Sequence, residues 1–442
     1  MIINNKKELN STIYRKKTLS ILEAGIKAVL PVKLIEDKVR YSSKIFTING
    51  KDYYFKKRAF VIGGGKASGA MAEKLEKMLG KDIADGIVVC QKSNFKTKRL
   101  KVMETGHPVP DKRGLKAMKR MLALKEKYSI GKGDIIFCLI SGGGSSLMGS
   151  PIEGVSLKDK QKVNGLLIKS GADIKEINSV RKHLSRVKGG SLGHFFSPAK
   201  VVSLIISDVG SNDLGSIASG PTFPDRSTFS DALLILKKYK LTPKVPKKVL
   251  GVLKRGAKGE IKETPKKLDN CFNHIIGDNK TALKAMKKKA KELKLKPLII
   301  TSKQSGKPFE LASSLSKNIA NNKYAKYDTL LIGGEMNPFV SSKKGKGGRN
   351  QHLALTFLFL MKDYKRKWVL ASLASDGVDF INEASGAIVD NNSFRLAIRK
   401  GLDIDKYIKN YNSYNFFKKI GGSIIRTDYT NTNVSDLIVC LI

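Results

Sequence analysis

"DIIFCLISGGGSSLMGS", residues 134–150, is an apolar run that ends abruptly in three glycines and two serines. Ile135, Ile136, Phe137, Cys138, Leu139 and Ile140 are β-branched, aromatic or otherwise apolar, and so short a run predicts a strand covered on both faces. Gly142, Gly143 and Gly144 then let the backbone turn sharply and bring its N–H groups against an anion, because no Cβ stands in the way. An ordinary strand-to-helix turn fits the same letters, and this stretch alone does not choose between the two.

The transition recurs along the chain. "AFVIGGGKASG" (59–69), "SLIISDVGSND" (203–213), "TLLIGGEMN" (329–337) and "ASLASDGVD" (371–379) each pass from an apolar run straight into Gly, Ser, Asp or Glu. Apolar runs alternating with amphipathic segments predict α/β layers around a largely parallel sheet, where ligands sit beyond the carboxyl ends of the strands. Helices are expected at Lys17 to Leu30 and over 281–294, where Leu283, Met286, Ala290 and Leu293 make the apolar stripe. With 442 residues the chain exceeds one core of usual size, so two domains are expected. Residues 242–270, rich in Lys, Pro and Gly, mark the junction; domains of 1–245 and 271–442 then flank a 246–270 connection.

A net charge of +45 would suit nucleic acid or phosphorylated metabolites. The lysines are spread through nearly every segment, however, and neither zinc-finger spacing nor an RRM-type aromatic signature is present, so no nucleic-acid partner is expected. There is no apolar stretch of about 18 residues and no signal core near the N-terminus, which predicts a cytoplasmic protein without a membrane partner. Cys90, Cys138, Cys271 and Cys440 are scattered, and the five histidines form no HExxH group, which disfavours a histidine or cysteine metal centre.

Several residues could carry chemistry. Lys66 follows Gly63, Gly64 and Gly65 at the start of a predicted helix with Ala70, Leu75 and Met78 among its apolar positions. The dinucleotide fingerprint fails at Ser68 and the Walker A pattern at Phe60 and Ala67, leaving a lysine whose charge opposes the helix dipole unless an anion lies alongside. Lys343, Lys344, Lys346 and Arg349 crowd a glycine-rich loop before another helix, a conflict that bound phosphate or carboxylate would resolve, with Arg349 best suited to grip it. Asp208, Asp213, Glu335, Asp376 and Asp379 supply carboxylates at strand ends, suited to holding Mg²⁺ or taking a hydroxyl proton, although Asp213 and Asp379 read better as helix caps. A serine-hydrolase elbow is not formed around Ser145 or Ser146, because Leu147 occupies the closing glycine's place. In residues 170–192, Ile174, Ile177, Val180 and Leu184 predict a core stripe; Arg181 and Lys188 fall on a neighbouring face, as a carboxylate site or a solvated basic face.

Taken in order, VIGGGKASGAMA, TGHPVPD (105–111), LISGGGSSL, SGADIKEINSVRKHLSRVKGGSL, IISDV, ASGPTFPD (218–225), IGGE, GKGGRNQHLAL and TNTNVSDL (430–437) resemble the class II glycerate kinase family with its C-terminal MOFRL domain. The resemblance implies an N-terminal Rossmann-like domain, mainly parallel, with flanking helices, and a smaller C-terminal α/β domain. It implies transfer of the ATP γ-phosphoryl group to the 2-hydroxyl of D-glycerate, with Mg²⁺ or another divalent cation, and Lys66 and Arg349 essential in a cleft between two domains. On this basis the catalytic set is Lys66, Arg349 and Asp208. Nucleotide phosphates fall to Ser141, Gly142, Gly143, Gly144, Ser145, Ser146, Gly220 and Thr222. The substrate falls to Lys66, Arg181, Lys188, Arg349 and Asn350, and the metal to Asp208 and Asp376, with Asp208 preferred to Glu335 as proton acceptor. Departures occur in RTDYTNTNV (426–434), at Phe380 in SDGVDF, and after GGE, where Met336, Asn337 and Pro338 follow. The rival readings are a nicotinamide-dependent hydroxypyruvate reductase, which the failed fingerprint at Gly63 opposes, and a basic nucleic-acid-binding protein. Whether the chain forms a homo-oligomer is left open.

Overall fold

The computed structural model describes residues 2–337 and 345–442, so Lys343 and Lys344 of the predicted basic loop lie outside the described residues. Strands β1 (Val39–Ser42), β2 (Ile45–Ile48) and β3 (Lys51–Tyr54) form a small antiparallel meander. The next six strands, β4 (Ala59–Gly64), β5 (Ile83–Cys90), β6 (Leu100–Glu104), β7 (Ile135–Ser141), β8 (Lys200–Ile206) and β9 (Cys271–Gly277), build one sheet in the order β6-β5-β4-β7-β8-β9. The four ladders joining β6, β5, β4, β7 and β8 are all parallel. Every residue of β4 and of β7 is buried, as the unbroken apolar runs require of strands without a wet face.

The chain runs outward from β4 through β5 to β6, then returns beside β4 as β7 and continues outward through β8 to β9. The strand order therefore reverses between β4 and β7, the switch point where open α/β sheets take their ligands. Glycine lets the two strand ends meet. Gly65 has a φ of +155°, and a Cβ there would stand 2.1 Å from Ser141 Oγ and 2.6 Å from its carbonyl oxygen.

The second sheet contains β10 (Pro297–Gln304), β11 (Thr329–Gly334), β12 (Val369–Ala374), β13 (Gly386–Asp390), β14 (Ile424–Ile425) and β15 (Asp436–Leu441), ordered β10-β11-β15-β12-β13-β14. Only β10 and β11 run parallel; the other pairs are antiparallel, so the largely parallel reading holds for the first sheet alone.

Compactness divides the described chain into a unit of 1–33, 208–211 and 277–442 and another of 34–207 and 212–276, a partition that differs from the predicted 1–245 and 271–442. Helix Ile13–Ala28 buries Leu19, Leu22 and Ile26 and packs on helix Asn279–Glu292 and on β15, which ties the N-terminus to the later sheet. Its Arg15 Nε donates to Asp390 Oδ2 at 2.7 Å. The predicted junction instead holds helix Lys247–Ala257, whose Val249, Val252 and Leu253 enter a helical core with Phe229 and Val180; short apolar spacing among lysines hid it. In the same core Ile177, Val180 and Leu184 are buried as expected, whereas Ile174, on the first turn of its helix, is 57% exposed. Helix Ser68–Leu79 buries Met71, Leu75 and Leu79, one step round from the predicted Ala70 and Met78.

Replacing Gly65 by Ala forces a methyl group into the backbone of the neighbouring strand end. Gly65→Ala is expected to lower stability by about 2–4 kcal/mol, read as a lower denaturant midpoint; an unchanged midpoint would show that the strand ends are not so tightly seated.

Candidate active site

At the switch point the loops after β4 and β7 are laced together. The Lys66 backbone N–H donates to the Gly142 carbonyl at 2.8 Å, and the Ala67 N–H donates to Ser141 Oγ at 2.9 Å. Ser141 is fully buried, so its hydroxyl binds one strand end to the other rather than a phosphate, contrary to expectation. Gly143 has a φ of +79°, and a Cβ there would lie 2.9 Å from the His107 ring and 3.4 Å from Lys66 Cγ. The glycine turn, His107 and the Lys66 stem thus pack as one group. Ser146 Oγ donates to the Gly143 carbonyl at 3.0 Å. Ser145 Oγ lies 2.9 Å from Ser219 Oγ and accepts from Lys188 Nζ at 2.7 Å; the same ammonium reaches the Ser145 carbonyl, also at 2.7 Å.

Beside this turn opens a cavity of about 450 Å³. Gly143, Ser145 and Ser146 form its floor, and Lys160, Arg181 and Lys188 enter its wall, without one carboxylate among the lining residues. Lys188 is 2% exposed and Lys160 9%. Arg181 Nε donates to Asn164 Oδ1 at 2.5 Å, and Lys160 Nζ is buried with no hydrogen-bond partner. Burial holds the Lys160 ammonium down to about 7, with the Arg181 charge acting in the same direction. Lys188 is held well below the usual lysine range by burial first and then by Lys160, Arg181 and Lys182, and burial lowers Arg181 as well. Such a cluster favours any anion that enters, because each cation gains an attraction that the protein does not supply.

Two predicted phosphate ligands are engaged elsewhere. Thr222 is 1% exposed; its hydroxyl donates to Asn273 Oδ1 at 2.7 Å and lies 2.8 Å from Ser203 Oγ. Gly220, at a φ of +63°, shapes the turn that carries Ser219 onto Ser145. The helix bearing Arg181 stops at His183, so Lys188 reaches the cavity from the following loop and not from the predicted helical face.

Residues 17–254 match a family described as a domain of unknown function (DUF4147), and residues 328–436 match the MOFRL family. A glycerate 2-kinase from Pyrococcus horikoshii is 37% identical over 97% of each chain. The chain belongs to the class II glycerate kinase family. A crystal structure of a glycerate kinase from Thermotoga maritima superposes with a TM-score of 0.82 at 35% identity, covering 97% of this chain and 99% of that one. Another relative, from Agrobacterium vitis, is 35% identical over 90% of each chain and carries a provisional hydroxypyruvate reductase name.

In the other unit of this class II glycerate kinase, helix Arg349–Leu360 starts among carboxylates. Arg349 Nε donates to both Asp436 oxygens, at 3.0 and 2.8 Å, and a terminal nitrogen donates to Glu335 Oε1 at 2.9 Å. Asp379 accepts from the Asn350 and Gln351 backbone N–H groups at 3.1 and 2.9 Å, so it caps this helix from a distant part of the chain, whereas the N-cap position itself is Gly348 and no helix starts at Asp379. The conflict between cations and helix dipole is therefore met by internal anions, Lys346 included, whose ammonium pairs with Glu383 at 2.8 Å. Asn350, expected to touch substrate, is fully buried; its amide donates to Asp379 and Asp436 at 3.1 and 2.8 Å and its oxygen accepts from Ser372. It positions the carboxylate that holds Arg349. Asp208 accepts from Asn433 Nδ2 at 3.2 Å, and Asp376 accepts from the Val378 N–H at 3.1 Å. Asp213 takes the Gly215 N–H at 3.3 Å and the Ser216 hydroxyl, a local turn. Among the described residues no group of three or more His, Cys, Asp or Glu could hold a metal ion.

Lys160 escaped the sequence reading, yet a signal existed: with Val163 and Leu167 it shares the buried face of helix Leu157–Lys169, where a lone lysine is out of place. Asp436 escaped too, because a carboxylate opening an apolar strand shows its partner only after folding. Burial pushes the Asp436 carboxyl up to about 6 against the pull of Arg349 and Asn350. A carboxyl raised by folding contributes stability that is full below its ordinary value of about 3.9 and lost as pH climbs to the folded value. The thermal midpoint of the natural protein, relative to Asp436→Asn, is expected to fall between about pH 4 and 6. Parallel curves for the two proteins would refute it.

Proposed function

We propose that this chain is an ATP-dependent glycerate 2-kinase, converting D-glycerate and ATP to 2-phosphoglycerate and ADP. Within a family whose relatives carry that name, the reading rests on one observation: a cavity at the switch point lined by three largely buried cations and no carboxylate. The 2-hydroxyl oxygen bonds to the γ-phosphorus as the bond to the β,γ-bridging oxygen breaks, and the hydroxyl proton passes to a carboxylate, for which Asp208 is the choice. Lys66 and Arg349 neutralise charge on the migrating group and orient glycerate, while the 142–144 backbone and the Ser145 and Ser146 hydroxyls steady the nucleotide phosphates. Asp208 and Asp376 are hard oxygen donors of the kind Mg²⁺ accepts alongside phosphate oxygens. When bound, that ion would screen the phosphate charge. Arg349 needs its carboxylate fork, since a guanidinium fixed by Asp436 and Glu335 presents its remaining N–H donors in one direction.

Phosphorus NMR of a reaction with ATP, Mg²⁺ and D-glycerate is expected to show 2-phosphoglycerate, with no NADH consumed in the presence of hydroxypyruvate. Lys66→Met and Arg349→Lys are each expected to reduce kcat/KM about a thousandfold with circular dichroism unchanged. Formation of 3-phosphoglycerate, or full activity in either variant, would refute the assignment.

A further inference from the structure

The cavity holds more positive charge than the acid substrate can answer. Lys160, Arg181 and Lys188 converge on it, the Lys160 ammonium is buried without a partner, and no lining carboxylate offsets them. Burying an unpaired ammonium costs several kcal/mol, so Lys160, set beside Arg181 and Lys188 with no lining carboxylate, is tolerated for a ligand that brings several negative charges. Glycerate brings one carboxylate; a triphosphate tail brings up to four charges. The other side of the same cavity is apolar: Val109, Leu157 and Ile168 line it, and Val109 and Ile168 are 62% and 58% exposed although hydrophobic. Gln161 fixes that wall by donating to the Pro110 carbonyl at 2.7 Å. A volume of about 450 Å³ suits a nucleotide and would leave a three-carbon acid loosely held.

We infer that Lys160, Arg181 and Lys188 grip the polyphosphate tail of the nucleotide, and that Val109, Leu157 and Ile168 form the apolar wall along its base. The inference rests on the kinase reading and moves Arg181 and Lys188 from the acid to the phosphoryl donor. Lys160 becomes a binding residue for the nucleotide.

Calorimetric titration of the full chain with ADP, inorganic tripolyphosphate and D-glycerate tests it. Lys160→Met is expected to weaken ADP and tripolyphosphate binding by about ten- to a hundredfold, to leave the glycerate KM within about twofold, and to raise the thermal midpoint, since an unpaired buried charge is gone. Lys160→Arg is expected to retain most of the ADP affinity. Val109→Ser with Ile168→Ser is expected to weaken ADP while sparing tripolyphosphate. Unchanged ADP affinity in Lys160→Met, or a change confined to the glycerate KM, would overturn the inference even with the kinase intact. Lys160-dependent ADP binding without phosphorylation of glycerate would uphold it and sink the choice of acceptor instead.

Discussion

Two parallel strands that touch through glycine set the geometry of the first sheet. Where β4 and β7 end side by side, Gly63 and Gly65 bring one backbone against Leu139 and Ser141 of the other with no Cβ between. The strand order reverses there, so the loops carrying Lys66 and Gly143 leave from neighbouring positions toward the same side. The Lys66 N–H to Gly142 bond and the Ala67 N–H to Ser141 bond then fix them in register. The rest of the cavity follows: a rigid turn at 142–146 gives Lys188 something to hold, and Lys188 with Ser219 closes the floor.

Charge is distributed by opposite logic in the two units. Around Arg349 the protein supplies its own anions, Asp436, Glu335 and Asp379, so the guanidinium is held firmly and its helix is capped from within. Around Lys160, Arg181 and Lys188 it supplies none, and burial disfavours the charged forms of the two lysines, which an arriving anion would favour. A cation with internal partners is fixed in orientation before ligand arrives; one without them gains its counter-charge from the ligand. The distinction separates residues that the same basic character makes look alike in a sequence.

Elements whose pattern is continuous were legible from the letters alone. The runs at 59–64 and 135–141 read as doubly covered strands, and Leu283, Met286 and Ala290 read as the buried stripe of their helix. The 246–270 stretch misled, because helix Lys247–Ala257 hides Val249, Val252 and Leu253 among lysines that only solvent sees. Ser141 and Thr222 misled in another way. A serine or threonine at a strand end advertises a hydroxyl, and burial decides whether that hydroxyl meets a ligand or a neighbouring chain segment.

Sequence by itself determined the α/β class, the glycine turns after the strands, the family and the candidacy of Lys66 and Arg349, since each depends on local pattern or on residues in a fixed order. Only the tertiary structure decided that helix Ile13–Ala28 belongs with the last strand, that Asn350 supports Asp436, and that Lys160 stands unpaired beside Arg181 and Lys188. Those facts are pairings between residues far apart along the chain. Pairing and burial set the free energy of a charge or a hydroxyl, and neither exists until the chain has folded.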